Sequence, residues 1–230
     1  MIKALLAAFA DLQLPGVRRV LGFGLAIAIA TLLATGVGVW FLVVWLADLD
    51  IGWLDGIVEF AAGLGVIVLA WLLFPIAVSS TVGIFLDEVC DSVEAAHYPA
   101  LPPARDQPLM ESIFSGLAFA GVALALNLLL LPVYLFLFFF PPLYALIFYG
   151  VNGYLLGREY FEQVALRRLD RRAAGTLRRT QQGRILAAGV VIAFLLTVPV
   201  VNLIAPVVAT AFMLHLVTGA AVRGGPAKGG

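Results

Sequence analysis

Pro199-Val200-Val201-Asn202-Leu203-Ile204-Ala205-Pro206 lies in the middle of a run, 185–222, that holds no charged residue. Each proline removes a backbone donor and disturbs the turn before it. The run is thereby cut into two arms, 185–198 and 207–222. At a rise of 1.5 Å per residue these arms reach only about 21–24 Å, short of the roughly 30 Å hydrocarbon core of a bilayer. Two short apolar helices meeting at a Pro-Asn-Pro apex predict a re-entrant hairpin. Irregular backbone at that depth is tolerated only when it is packed in protein or lines a wet cavity.

Working outward, three more charge-free runs appear, at 20–47, 60–86 and 112–157. The first two each suffice for one tilted crossing, although Pro75 is expected to kink or end the second helix. The third is broken by Pro132 and by Pro141-Pro142. It fits either another hairpin or two full crossings, since its first arm, 112–131, is long enough to span. Membrane strands are not expected, because the runs are continuously apolar and lack period-two alternation. The chain is 63% hydrophobic and 12% charged, about half the charged share of a soluble domain. That scarcity argues against a soluble enzyme and a disordered chain, and the zero net charge argues against a nucleic-acid binder.

The charges that do occur set orientation. Segment 48–59 carries Asp48, Asp50, Asp55 and Glu59 with no base, whereas 158–184 carries eight arginines against three acids. The positive-inside rule places both termini and 158–184 in the cytoplasm and 48–59 outside. Runs three and four must then each return to the side they entered. Residues 1–14 set Ile2, Leu5, Leu6, Phe9 and Leu12 at helical spacing, the pattern of an interfacial helix. The apolar stretch before Ala8-Phe9-Ala10 is too short for a signal peptide. Residues 156–180 read as a second, longer amphipathic helix whose arginines hold anionic lipid. The sequence thus predicts an all-α integral membrane protein. It has two long transmembrane helices, two partly penetrating or re-entrant hairpins and amphipathic interfacial helices, in one domain over 1–223 with a disordered tail at 224–230.

Leu14-Pro15-Gly16-Val17-Arg18-Arg19 is the most suggestive site. Pro15-Gly16 ends the interfacial helix and starts the next one, whose first amides lack intrahelical partners and carry the positive end of the helix dipole. Glycine admits close approach, and two arginines supply donors for a tetrahedral oxyanion. The competing reading is that Arg18 and Arg19 reach lipid headgroups and set topology. Asp87, Glu88, Asp91 and Glu94 read as a solvated face, a cation site, or partners for bases elsewhere. Arg158 and Glu162 form an i,i+4 pair. Asn127, Asn152 and Asn202 are polar within apolar runs, either satisfying backbone groups or lining a pathway. His97 and His215 are too few and too far apart to form a zinc signature, and His215 reads as a packed residue. Cys90 permits no internal disulfide and reads as an inert thiol. No nucleophile–base pair, P-loop or metal cluster is visible, so neither an enzyme nor a cofactor is expected.

Four stretches resemble the CysZ-type bacterial sulfate permeases of the etoposide-induced-protein superfamily. They are Gly16–Arg19; Phe85–Val89 with Glu94, His97, Tyr98 and Pro99; Asn152–Arg168; and Pro199–Pro206. The resemblance implies two long transmembrane helices, two V-shaped pairs of partly penetrating helices, and oligomerisation. It implies sulfate uptake across the bacterial inner membrane for cysteine biosynthesis, without ATP hydrolysis in this chain. It also implies that Gly16, Val17 and Arg18, with Arg19 beside them, hold sulfate or a related oxyanion. Val17 stands where the family has leucine, a harmless change if the backbone amide binds. The alternative function is a non-transporting membrane scaffold whose basic segment binds lipid or a partner.

Overall fold

The structure is a computed structural model and describes residues 1–47, 65, 85–105 and 109–224. Segment 48–59, almost all of run 60–86 and the tail from 225 lie outside the described residues. So do the expectations attached to them, including the second long crossing. The described chain is all helical. Helix α1 spans Ile2–Ala10 and passes through a 3-10 turn, Asp11–Gln13, into α2, Pro15–Ala47. Then follow α3 (Leu86–His97), α4 (Leu109–Leu137), α5 (Pro141–Ala165), α6 (Arg171–Thr180), α7 (Gln182–Thr197), α8 (Pro199–Asn202) and α9 (Ala205–Gly224).

Helix α2 has 33 residues, about 50 Å at helical rise. Over Pro15–Gly38 it is long and apolar enough to cross a bilayer, and it alone among the described helices passes that test unbent. Leu25, Ile27, Ile29, Leu33, Val37, Trp40 and Phe41 are exposed along it. Thr31 and Thr35 return their hydroxyls to the carbonyls of Ile27 and Thr31, at 2.8 Å each. No polar group on this stretch is then left seeking a partner.

The third apolar run folds as a helical hairpin. Helices α4 and α5 meet at Phe138-Phe139-Phe140, where all three rings are exposed. Pro141-Pro142 ends one arm and begins the other, with proline at the first helical positions of α5. Pro132 does not break the run as expected, because α4 continues through it. The predicted helix over 156–180 is also corrected. Leu156–Ala165 completes α5, a turn follows, and α6 starts afresh with Asp170 accepting from the Ala173 amide at 2.7 Å. A side-chain cap of that kind is enough to nucleate a new helix.

The proline-bounded segment breaks the run where the sequence places the break. Pro199 opens the four-residue α8, and the chain re-enters a helix at Ala205. The returning arm is not a lipid-facing helix, however. Residues 205–216 are buried without interruption, which makes α9 the core around which α1, α3, α5 and α7 pack. A helix apolar on every side belongs in such a place. Its neighbour α7 lies against α5 along a seam of small residues. A Cβ at Gly157 would fall 2.6 Å from the Ile185 carbonyl oxygen, and one at Gly153 would fall 2.5 Å from Val190 Cγ2. A Cβ at Gly189 would overlap the backbone of Gly153 and Gly157. Gly153-Tyr154-Leu155-Leu156-Gly157 is therefore a GxxxG face, which lets two backbones touch.

Helix α1 is amphipathic but turns differently from the sequence expectation. Ala8 is buried, Ala4, Leu5, Phe9 and Leu12 pack against the core, and Ile2 and Leu6 remain exposed. Asp11, in the turn that follows, is 2% exposed.

Candidate functional site

The turn from α1 into α2 presents Gly16, Val17, Arg18 and Arg19. The Arg18 amide is the first to reach a carbonyl, that of Leu14, at 2.9 Å. Proline 15 has no N–H, and the amides of Gly16 and Val17 precede the first intrahelical bond, so they point off the helix end. Val17 turns its side chain into the core at 0% exposure, while Arg18 and Arg19 face outward. Among the described residues the Arg18 guanidinium has no ion-pair partner. Arg19 lies 3.9 Å from Glu88 and 5.5 Å from the centre of the Phe23 ring. Gly16 abuts α3, where a Cβ would overlap Ser92 Oγ. Ser92 meanwhile donates to the Glu88 carbonyl at 2.8 Å. The glycine thus has a packing role, and it brings a hydroxyl beside the helix end. Sequence reasoning did not single out Ser92, because only the fold sets α3 against this turn.

The acidic row on α3 meets a second arginine pair, the third of the readings the sequence left open. Arg167, with a side chain 7% exposed, donates to Asp87 at 2.7 Å and to Asp91, with Glu94 at 3.7 Å. Arg168 donates to Glu94 at 2.6 Å and to the Pro102 carbonyl. The Arg105 amide donates to the Arg167 carbonyl at 2.7 Å. Burial pulls against the Arg167 charge, but the Cys90 sulfur and the carboxylates Asp87, Asp91 and Glu94 outweigh it and hold the guanidinium above its ordinary range. Burial pushes the nearby Cys90 thiol up to about 12, against the pull of Arg167. A thiol so placed is protonated and unreactive.

A third polar cluster joins three distant parts of the chain. Asp11 Oδ1 lies 2.7 Å from His97 Nε2, and Asp11 Oδ2 lies 2.7 Å from His215 Nε2. The Tyr98 hydroxyl is 2.8 Å from His215 Nδ1. The two imidazoles meet edge to face at 5.1 Å. The histidines that sequence spacing set apart are therefore neighbours. The available signal was that a lone Asp in an apolar helix and a lone His in an apolar run each need a buried partner.

The remaining candidates separate. Arg158 Nε donates to Glu162 Oε1 at 2.9 Å, and Arg178 Nη1 reaches the same oxygen at 2.5 Å. Beside this trio a cavity of about 230 Å³ is lined by Tyr154, Arg158, Arg178, Arg179, Gln182 and Ile185, among others. The Asn152 amide donates to the Phe148 carbonyl at 2.8 Å, one turn back in α5. Asn127 lies on α4 and Asn202 at the end of α8. No described hydrogen bond or ion pair links these asparagines, or Arg158, to Gly16–Arg19.

The family model described as sulfate transporter CysZ/etoposide-induced protein 2.4 matches residues 4–206. That span covers all three polar clusters except His215. No curated protein and no solved structure matches the chain.

Proposed function

The chain belongs to the sulfate transporter CysZ/etoposide-induced protein 2.4 family, and from that membership we propose that it conducts sulfate across the bacterial inner membrane. The anion is taken up at Gly16, Val17, Arg18 and Arg19 and supplies cysteine biosynthesis, with no ATP hydrolysis in this chain. One observation carries the reading. The cationic end of the longest described apolar helix holds two exposed arginines, and one of them, Arg18, has no acidic partner among the described residues. Unsatisfied amides and charged guanidinium donors at a helix N-terminus suit a tetrahedral oxyanion.

The apolar exposure of α2 and of the α4–α5 hairpin supports a multi-pass membrane location. The same surface gives neighbouring protomers an area on which to assemble as a homo-oligomer. The arginines of α6 and of the adjoining cavity then lie at the cytoplasmic face with both termini, where they hold anionic lipid headgroups.

The test is uptake of labelled sulfate by proteoliposomes. The Arg18→Ala/Arg19→Ala variant should fall to the level of empty vesicles while remaining folded. Uptake unchanged in that variant displaces the site. Absence of uptake in the unaltered protein, at proven incorporation, overturns sulfate transport and favours a scaffold.

A further inference from the structure

The Asp11–His97–His215 cluster has a use beyond the oxyanion reading and independent of it. Asp11 is a carboxylate and accepts only, so the two Nε2 atoms that face it both carry hydrogen. In neutral His215 the proton then sits on Nε2, and Nδ1 accepts from the Tyr98 hydroxyl at 2.8 Å. The two imidazole Nε2 atoms thus flank the Asp11 carboxylate, and with one of its oxygens all three donor atoms lie within 4.8 Å of one another. The outer nitrogen of one imidazole is fixed by a hydrogen bond, the arrangement that orients a metal-ligating histidine.

Burial completes the site. The side chains of Asp11 and His215 are 3% and 6% exposed, whereas that of His97 is 43% exposed. Two ligands are thus held rigidly inside the core, and the third opens to solvent as the route of access. A tetrahedral ion with bonds of about 2.0–2.1 Å sets its donors roughly 3.3 Å apart. The 2.7 Å contacts of His97 with Asp11 Oδ1 and of His215 with Asp11 Oδ2 are slightly shorter than that. Ion binding requires the three side chains to shift so that one Asp11 oxygen serves with both imidazoles, the ion taking the place of the two Nε2 protons.

We infer that Asp11, His97 and His215 form a binding site for a borderline divalent transition-metal ion, of which zinc is the type. Two nitrogens and one oxygen suit zinc or a late first-row metal over calcium or magnesium, which require more oxygen ligands. Three protein ligands leave a fourth position for water. The bound ion ties the α1–α2 junction to the end of α3 and to the core helix α9. The segment leading into Gly16–Arg19 is thereby anchored from both sides.

The experiment uses the full chain, purified without a histidine tag in detergent and stripped of metal. Zn²⁺ is titrated by calorimetry, Co²⁺ is followed by its visible ligand-field bands, and thermal unfolding is recorded with and without Zn²⁺. One equivalent should bind saturably, raise the unfolding temperature and give Co²⁺ bands of low coordination number. His97→Ala, at the exposed ligand, should abolish the bands. Tyr98→Phe keeps all three ligands and should weaken binding about 10–100-fold. The inference is overturned by a lack of saturable binding at millimolar Zn²⁺. It is equally overturned if binding in both variants equals that of the unaltered chain, which would make the cluster a purely hydrogen-bonded joint.

Discussion

Two arginine pairs, Arg18-Arg19 and Arg167-Arg168, look alike in the sequence and lie in opposite surroundings. The first stands at a helix N-terminus with its side chains outside, Arg19 at 69% exposure and nearly 4 Å from one acid. The second is driven into the protein, Arg167 at 7% exposure, with both of its terminal nitrogens engaged by Asp87 and Asp91 and with Glu94 beside them. A guanidinium buried among carboxylates has little left for an incoming anion, and it holds the turn after α5 against α3 instead. A guanidinium at an open helix end has donors to spare. Neighbourhood, rather than residue type, divides the structural pair from the pair proposed to bind the anion.

The largest effect should come from removing the saturated pair. Arg167→Ala leaves Asp87 and Asp91 on α3 without their arginine, and the buried Glu94 with Arg168 alone. Truncating one partner of a buried charge cluster costs about 3–5 kcal/mol; the solvent exposure of Asp87 and Asp91 reduces this to about 2–4 kcal/mol. Thermal unfolding in detergent measures it. Cys90 lies under the same junction and supplies a second readout, since its protonated, buried thiol should react with a maleimide only slowly. Labelling should accelerate in Arg167→Ala and stay slow in Arg18→Ala/Arg19→Ala. Equal acceleration in both would erase the distinction between the pairs.

A smaller effect is expected at Gly16, where packing and anion binding coincide. Gly16→Ala drives a methyl group into Ser92 Oγ and should cost about 1–3 kcal/mol. Adding Ser92→Ala opens the space without restoring a hydroxyl. If stability and sulfate uptake both return in the double variant, Gly16 is there for the contact of α2 with α3. If stability returns and uptake does not, backbone access or the Ser92 hydroxyl belongs to the oxyanion site.

The hairpin boundaries were legible because proline and charge are local signals. Pro199 and Pro141-Pro142 start helices where the sequence placed the breaks. Pro132 misled, since a proline within a helix can be absorbed without ending it. The break near Asp170 was missed because the apolar spacing of Leu156, Tyr160 and Val164 runs smoothly into the arginine-rich segment. Only the capping role of Asp170 distinguishes the two helices. The oxyanion candidate was visible as a turn followed by two bases. By contrast, the meeting of Asp11, His97 and His215 depends on how α9 threads the core, and no spacing along the chain encodes that. The choice among partners for the α3 acids was likewise tertiary. Asp87, Asp91 and Glu94 recur at helical spacing, but their pairing with Arg167 and Arg168 follows from the turn after α5 folding back upon them.

The smallest effect separates the open pair from its own surroundings. Glu88 is the one acid described beside Arg18-Arg19, and its contact with Arg19 is long and exposed on both sides. An exposed pair of this kind contributes about 0.2–1 kcal/mol and is screened by salt. Glu88→Gln should therefore leave the unfolding temperature almost unchanged. It also removes a negative charge that competes with the anion for Arg19, so sulfate affinity should rise, by at most about fivefold at low ionic strength. The gain should shrink as salt is added, because only the screened part of the field has changed. A fall in sulfate affinity would instead mean that Glu88 orients Arg19 toward its ligand. The pair at the helix end would then be held in place by an acid, as Arg167 is, and the contrast between the two pairs would be one of degree.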